Sequence, residues 1–220
     1  MPFAIDEDDA RKAFRKFARS SIWHPSDLRR ADLDLTRLLL PSWVWSARVE
    51  NHYAALVPAS TRSGKRPRTG VSTVEVKAQL VPASSALSAA ELNAISPFEM
   101  VEQAFDPDLA VAGFELGSLT RQAAETAGCA AMEASHGARI QADLSAMVLR
   151  SSCRFFDLRG RPILLPVFIG TYRRKDRIYR VVLNGQTGTL TGRAPISIWK
   201  VGLCLLVASV LTWLVLGGLQ

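Results

Sequence analysis

The apolar C-terminal tail constrains this chain most. Val201 to Leu219, VGLCLLVASVLTWLVLGGL, runs for 19 residues without a charge, and 11 of them are Val or Leu. At about 1.5 Å per residue a helix of this length spans roughly 28 Å, close to the ~30 Å hydrocarbon core of a bilayer. Trp199 and Lys200 stand at its start, where an amphipathic ring and a snorkelling ammonium suit a membrane interface. A buried core helix is normally shorter and carries some polar side chain. The run therefore predicts a single-pass transmembrane helix over 199–220. Arg193 and Lys200 precede the span and only Gln220 follows it. The positive-inside bias then places the N-terminal body in the cytosol.

The formal charge of +7 invites a nucleic-acid reading until its location is considered. From Arg150 to Lys200 there are 11 basic residues against Asp157 and Asp176, so this stretch carries +9 and the remainder of the chain −2. The excess belongs to the segment beside the tail. Within it, Arg159, Arg161, Arg173, Arg174, Lys175 and Arg177 form a basic stripe. Arginines near a bilayer attract anionic lipid head groups, at roughly 1 kcal/mol each close to the surface. Nucleic-acid phosphate is the weaker candidate, since only Tyr172 and Tyr179 offer aromatic interleaving.

Ahead of the tail, Asp6 to Ser20 has acidic residues in its first turn and basic ones after, which complements a helix dipole. Pro25 to Leu40 reads as a connector stopped by Pro41, and the residues from Ser42 alternate in strand fashion to Pro58. Arg62 to Gly70 reads as an exposed hairpin loop, followed by a strand over Val71 to Val81. Ser84 to Ala104 has helical spacing broken at Pro97, Phe105 to Gly117 is turn-rich, and Leu119 to Gly137 is an Ala-rich helix. Ile140 to Phe156 continues towards a strand, and three short strands follow at 163–172, 178–183 and 189–192. Asn184-Gly185 opens the last turn, both residues tolerating positive φ. Leu39-Leu40-Pro41-Ser42-Trp43 is echoed by Leu164-Leu165-Pro166-Val167-Phe168, as two related halves would be. The expected fold is therefore α+β: two small antiparallel sheets with packed helices, plus one C-terminal transmembrane helix. Its parts are an amphipathic helix and connector over 1–40, a soluble domain over 41–195 and the anchor over 199–220.

Several of these motifs resemble a bacterial family. Leu165-Pro166-Val167-Phe168, Tyr172-Arg173, Tyr179-Arg180-Val181, Leu183 to Gly188 and Gly192 to Lys200 are similar to the ending of zinc-ribbon proteins, some of them labelled primosomal-helicase-like. Leu40-Pro41-Ser42-Trp43 and Leu109 to Glu115, with its Ala112-Gly113-Phe114, resemble family segments upstream. The likeness covers most of residues 10 to 200 and is strongest from 164 to 200. The chain departs from the family in having no cysteine before Cys129, so the ribbon is missing, and it has no Walker A motif. The resemblance implies architecture more than activity, and it makes the membrane expected for the anchor a bacterial inner membrane.

Site chemistry is sparse. Cys129, His136 and Cys153, with His24 and His52 elsewhere, lack the spacing of a zinc knuckle. With no CxxC pair and an acidic start at Met1 to Asp9 instead of a signal sequence, the cysteines read as reduced thiols. There is no Gly-x-Ser-x-Gly elbow. Glu115 and Asp143 are the carboxylates that a fold could pair, and Gly185-Gln186-Thr187-Gly188 could form a phosphate nest, although a tight hairpin explains the same residues. No catalytic residue, metal or cofactor is expected. The function expected is that of a non-enzymatic, membrane-tethered cytosolic module for protein interaction or scaffolding, the alternative being a membrane-recruited nucleic-acid-binding module. Its expected partners are the lipid bilayer, anionic lipid head groups and a partner protein, with nucleic acid disfavoured.

Overall fold

The computed structural model describes residues 1–59, 64–100, 113–195, 199–200, 202, 204, 206 and 208–209. The elements in order are α1 (Glu7–Arg19), a 3-10 turn (Ser26–Arg30), β1 (Leu33–Pro58), β2 (Lys65–Pro82), α2 (Ala89–Ile95), β3 (Gly113–Phe114), α3 (Arg121–Leu144), β4 (Met147–Arg174), β5 (Arg177–Asn184) and β6 (Leu190–Gly192).

In place of the two small sheets expected, there is one mostly antiparallel sheet of order β2-β1-β4-β5-β6, with β3 beside β1. The reason is strand length. β1 runs for 26 residues and β4 for 28, far beyond the usual five or six. The sequence signals read as breaks do not break them. Pro41 sits just before the β1–β2 ladder, whose first pair is Ser42↔Pro82, so its missing N–H removes no bond there, and its carbonyl accepts from Ala83 N at 3.0 Å. Gly160-Arg161-Pro162 lies within β4, and the basic stretch Lys65 to Gly70 is strand, paired with Tyr53 to Pro58.

The tail also requires correction. Among the described residues no helix is long and apolar enough to cross a membrane. The longest, α3, has 24 residues but carries Glu125, Glu133, Arg139 and Asp143. Trp199, Lys200, Gly202, Cys204, Leu206, Ala208 and Ser209 are helical, while the rest of 201–219 lies outside the described residues. An apolar run allows a spanning helix; only a continuous helix of sufficient length makes one. The transmembrane helix, the single-pass topology and the inner-membrane placement are accordingly withdrawn.

The chain forms two compact units. The first comprises Met1–Leu38, Asn93–Gly113 and Pro166–Gln220. Its core is built on α1, where Ala10, Phe14 and Ala18 recur every fourth residue and are buried with Leu28, Leu33, Phe168, Tyr172, Val181 and Leu183. Phe14 meets Tyr172 at 5.3 Å between ring centroids, and Phe3 meets Phe168 edge-on at 5.1 Å. Asp6 caps α1 by accepting from Asp9 N at 2.8 Å.

The second unit comprises Leu39–Leu92 and Phe114–Leu165. α3 packs on β2 through Ala124, Gly128, Met132, His136 and Ile140, a stripe at four-residue spacing. Beneath it lie Trp45, Ala47, Val49 and Val81. A bulge between Trp45 and Ala47 shifts the β1–β2 register.

Candidate anion-binding surface

With Ala10, Phe14 and Ala18 turned into the core, the opposite side of α1 presents Lys12, Arg15, Lys16 and Arg19 to solvent. Together with Ser20 they line a groove of about 530 Å³. Lys12 pairs with Asp9 at 2.8 Å, which raises its pKa, but among the described residues no carboxylate pairs with Arg15, Lys16 or Arg19. The two aromatic rings of the helix, Phe14 and Phe17, belong to the core cluster. The outer face is thus cationic and non-aromatic.

A second depression lies where α1 meets the 3-10 turn. It measures about 250 Å³ and is lined by Arg11, Phe14, Arg15, Arg29, Arg30, Ala31, Asp32 and Leu33. Leu28 is the apolar pin that buries this turn, which leaves Arg29 and Arg30 exposed in its last positions. Arg11 is held in place by donating Nη1–H to the Leu33 carbonyl at 2.6 Å. Four guanidinium groups therefore face one carboxylate.

Of the six basic residues singled out in the sequence, four lie in the first unit and two in the second. Arg173, Arg174, Lys175 and Arg177 surround the β4–β5 hairpin of the first unit, where Arg174 lies across from Arg177 and Lys175 takes a left-handed φ of 51°. Arg174 is not free, since its Nε–H donates to Asp27 at 3.0 and 3.1 Å. Arg159 and Arg161 lie on β4 in the second unit and are exposed. Lys200 donates to the carbonyls of Ile22 at 2.8 Å and His24 at 2.7 Å, while Trp199 is 90 % exposed. The cations missed in sequence, Arg11, Arg15, Arg29 and Arg30, carried one available signal. Lys12, Arg15, Lys16 and Arg19 fall on the side of an amphipathic helix opposite its apolar stripe. Nothing local in the sequence places Arg29 and Arg30 beside that helix.

The other candidates are absorbed by the fold. In the Gly185 to Gly188 turn, Asn184 Oδ1 accepts from Gln186 N at 2.7 Å and from Thr187 N at 3.2 Å, so those N–H groups are spent internally and form no nest. Positive φ falls on Gly188, at 71°, whereas Gly185 is needed because the Phe3 ring lies against it. Glu115 accepts from Ser84 Oγ at 2.5 Å and Ser85 Oγ at 3.4 Å, and Asp143 is exposed on α3. His24 sits 5.2 Å from the Phe17 ring, and His52 Nε2 lies 2.7 Å from Glu50.

In the second unit, His136 Nε2 lies 3.0 Å from Ser72 Oγ, and its Nδ1 is buried without a partner among the described residues. Ser72 is paired in register with Asn51, which exchanges hydrogen bonds with Ser151 at 3.0 and 3.1 Å. Burial lowers the His136 pKa, Arg139 adding to the effect. Burial likewise pushes the Cys129 and Cys153 thiols up, away from the reactive thiolate. Among the described residues no three His, Cys, Asp or Glu side chains converge as metal ligands.

Comparison with known proteins leaves the reading to these residues: no family model, no curated protein and no solved structure matches the chain.

Proposed function

We propose that this chain is a non-enzymatic interaction module that takes an acidic segment of a partner protein along the cationic face of α1. The observation that carries the reading is the division of one helix into an apolar side spent on the core and an outer side bearing Lys12, Arg15, Lys16 and Arg19 over a groove of about 530 Å³. Of these cations Lys12 is paired with Asp9, and among the described residues no carboxylate pairs with the other three; cations on a rigid helix attract acidic groups and accelerate their encounter. Single-stranded nucleic acid is served less well, because it is held by aromatic stacking platforms as well as charge, and both aromatic rings of α1 are packed into the core.

Fluorescence-anisotropy titration of the full chain with a labelled peptide of glutamates and aspartates tests the proposal. Binding should weaken as salt rises and should fall about tenfold in a Lys12→Glu/Lys16→Glu/Arg19→Glu variant of unchanged circular dichroism. Tighter binding to a single-stranded oligonucleotide of equal charge would transfer the site to nucleic acid. Absence of binding to both would remove it.

A further inference from the structure

We propose that the depression between α1 and the 3-10 turn is a binding site for a phosphoryl group carried on a small organic moiety. The site rests on the reading of α1 as a cationic surface only through Arg15, which borders both features.

Number and kind of donor argue for phosphoryl over carboxylate. Each guanidinium is a planar fork that matches a carboxylate or a phosphate bidentately. A carboxylate has two oxygens and is satisfied by one or two forks, whereas a phosphate monoester presents three acceptor oxygens and up to two charges. Arg11, Arg15, Arg29 and Arg30 converge on a single depression, more donors than a carboxylate can use. Arg11 is already oriented, one of its five N–H groups being committed to the Leu33 carbonyl. Its fork therefore loses less freedom on binding than a mobile side chain would.

Size and floor define what accompanies the phosphate. At about 250 Å³ the space equals roughly eight waters of ~30 Å³ each. A bare phosphate would leave it part-filled. Phe14 and Leu33, both 3 % exposed, make the floor apolar, which suits carbon and strengthens the field of the arginines above it. Asp32 is exposed at the rim. Its carboxylate repels a second phosphate and accepts from a hydroxyl or ammonium on the ligand. The chemistry that fits is a phosphate monoester on a small hydroxylated or aminated carbon unit, free in solution or borne on a lipid.

Isothermal titration of the full chain with glycerol 3-phosphate, inorganic phosphate and acetate at matched ionic strength reads the site directly. Sedimentation with phosphatidylcholine vesicles, with and without phosphatidic acid, separates the lipid-borne source from the soluble one. Saturable binding of glycerol 3-phosphate, or of phosphatidic acid vesicles alone, supports the assignment and identifies the source. In either arm Arg29→Ala/Arg30→Ala should weaken binding about tenfold or more, and Arg29→Lys/Arg30→Lys should recover only part, a point charge replacing a fork. That double alanine variant should still bind the acidic peptide, whereas Lys12→Glu/Lys16→Glu should still bind the phosphate, so failure of one reading is separable from failure of the other. Equal affinity for acetate and phosphate, unchanged affinity in Arg29→Ala/Arg30→Ala, or no binding in any arm overturns the proposal.

Discussion

Gly160 of β4 lies so close beneath the six-membered ring of Trp45 that a Cβ at that position would fall 2.3 Å from Cζ3. On α3, Gly128 approaches the same indole, with a Cβ there meeting Cδ1 at 2.9 Å. Trp45 is 1 % exposed, so neither neighbour can yield by moving the ring into solvent. Two glycines thus shape the slot filled by Trp45, the largest fully buried side chain among the described residues.

Gly160→Ala is accordingly expected to destabilise by about 1–3 kcal/mol through overpacking. Gly137, also on α3, meets nothing within 4 Å. Gly137→Ala should stabilise by about 0.5–1 kcal/mol by removing helix-interior glycine. Urea unfolding followed by circular dichroism distinguishes the opposite signs, and equal effects at the two positions would refute the slot.

His136 makes stability depend on pH in the acidic direction. Burial and Arg139 lower its pKa below the ordinary value near 6.5. The unfolded chain therefore binds the proton more readily than the folded one. The contribution is intact above about pH 6.5 and declines as pH falls through the interval between the two pKa values. Urea midpoints measured down through that interval should drop more steeply for the parent than for His136→Gln. Parallel profiles would assign the acid sensitivity elsewhere.

Tyr172 acts at the opposite end of the scale. Its phenol is held protonated by burial and by Tyr179, with Arg174 opposing, and its pKa is pushed up to about 12. A raised folded pKa means stability present below about pH 10 and lost as pH rises towards 12. Tyr172→Phe should abolish that alkaline loss. It also removes the bond from Tyr172 Oη–H to the Arg193 carbonyl at 3.0 Å, at about 1 kcal/mol near neutrality. Ultraviolet titration of the phenols checks the first effect and urea unfolding the second.

Asn184 ties two segments of the first unit together. Its Nδ2 donates to the carbonyls of Ile95 at 2.9 Å and Pro97 at 2.8 Å, and its Oδ1 accepts from Gln186 N and Thr187 N. It is 0 % exposed. Asn184→Ala strips partners from buried backbone groups and should cost of order 3 kcal/mol, while Asn184→Asp loses the two donors and should be no better. A midpoint shift below that of an exposed control such as Thr187→Ala would contradict this role.

Local signals were legible wherever local chemistry decides the structure. The acid-then-base order of Asp6 to Ser20 marks α1 within a residue at each end. The strand over 178–183 falls within β5, and that over 189–192 covers β6, starting one residue early. Of the helix expected over 84–104, Ala89–Ile95 is the part that forms among the described residues, where Ser88 and Glu91 build a reciprocal cap, with Glu91 N donating to Ser88 Oγ at 3.2 Å and Ser88 N to Glu91 Oε2 at 3.0 Å. Residues 101–112 of that region lie outside the described residues. Strand length was not legible, since proline and glycine look alike at a break and at a place where the ladder is merely absent. The site was the least legible part. Its arginines come from a helix and a turn that only burial of Leu28 and Leu33 in one core brings together.

The echoed motif takes on a different meaning once both long strands are followed. β1 leaves the first unit between Leu38 and Leu39, and β4 returns to it between Leu165 and Pro166. Leu39-Leu40-Pro41 and Leu164-Leu165-Pro166 therefore stand at two of the four places where the chain passes from one unit to the other. One unit is assembled from three stretches of chain and the other from two. Separating the units would take four chain breaks, two of them inside β1 and β4, so neither can be excised as one contiguous piece free of the other.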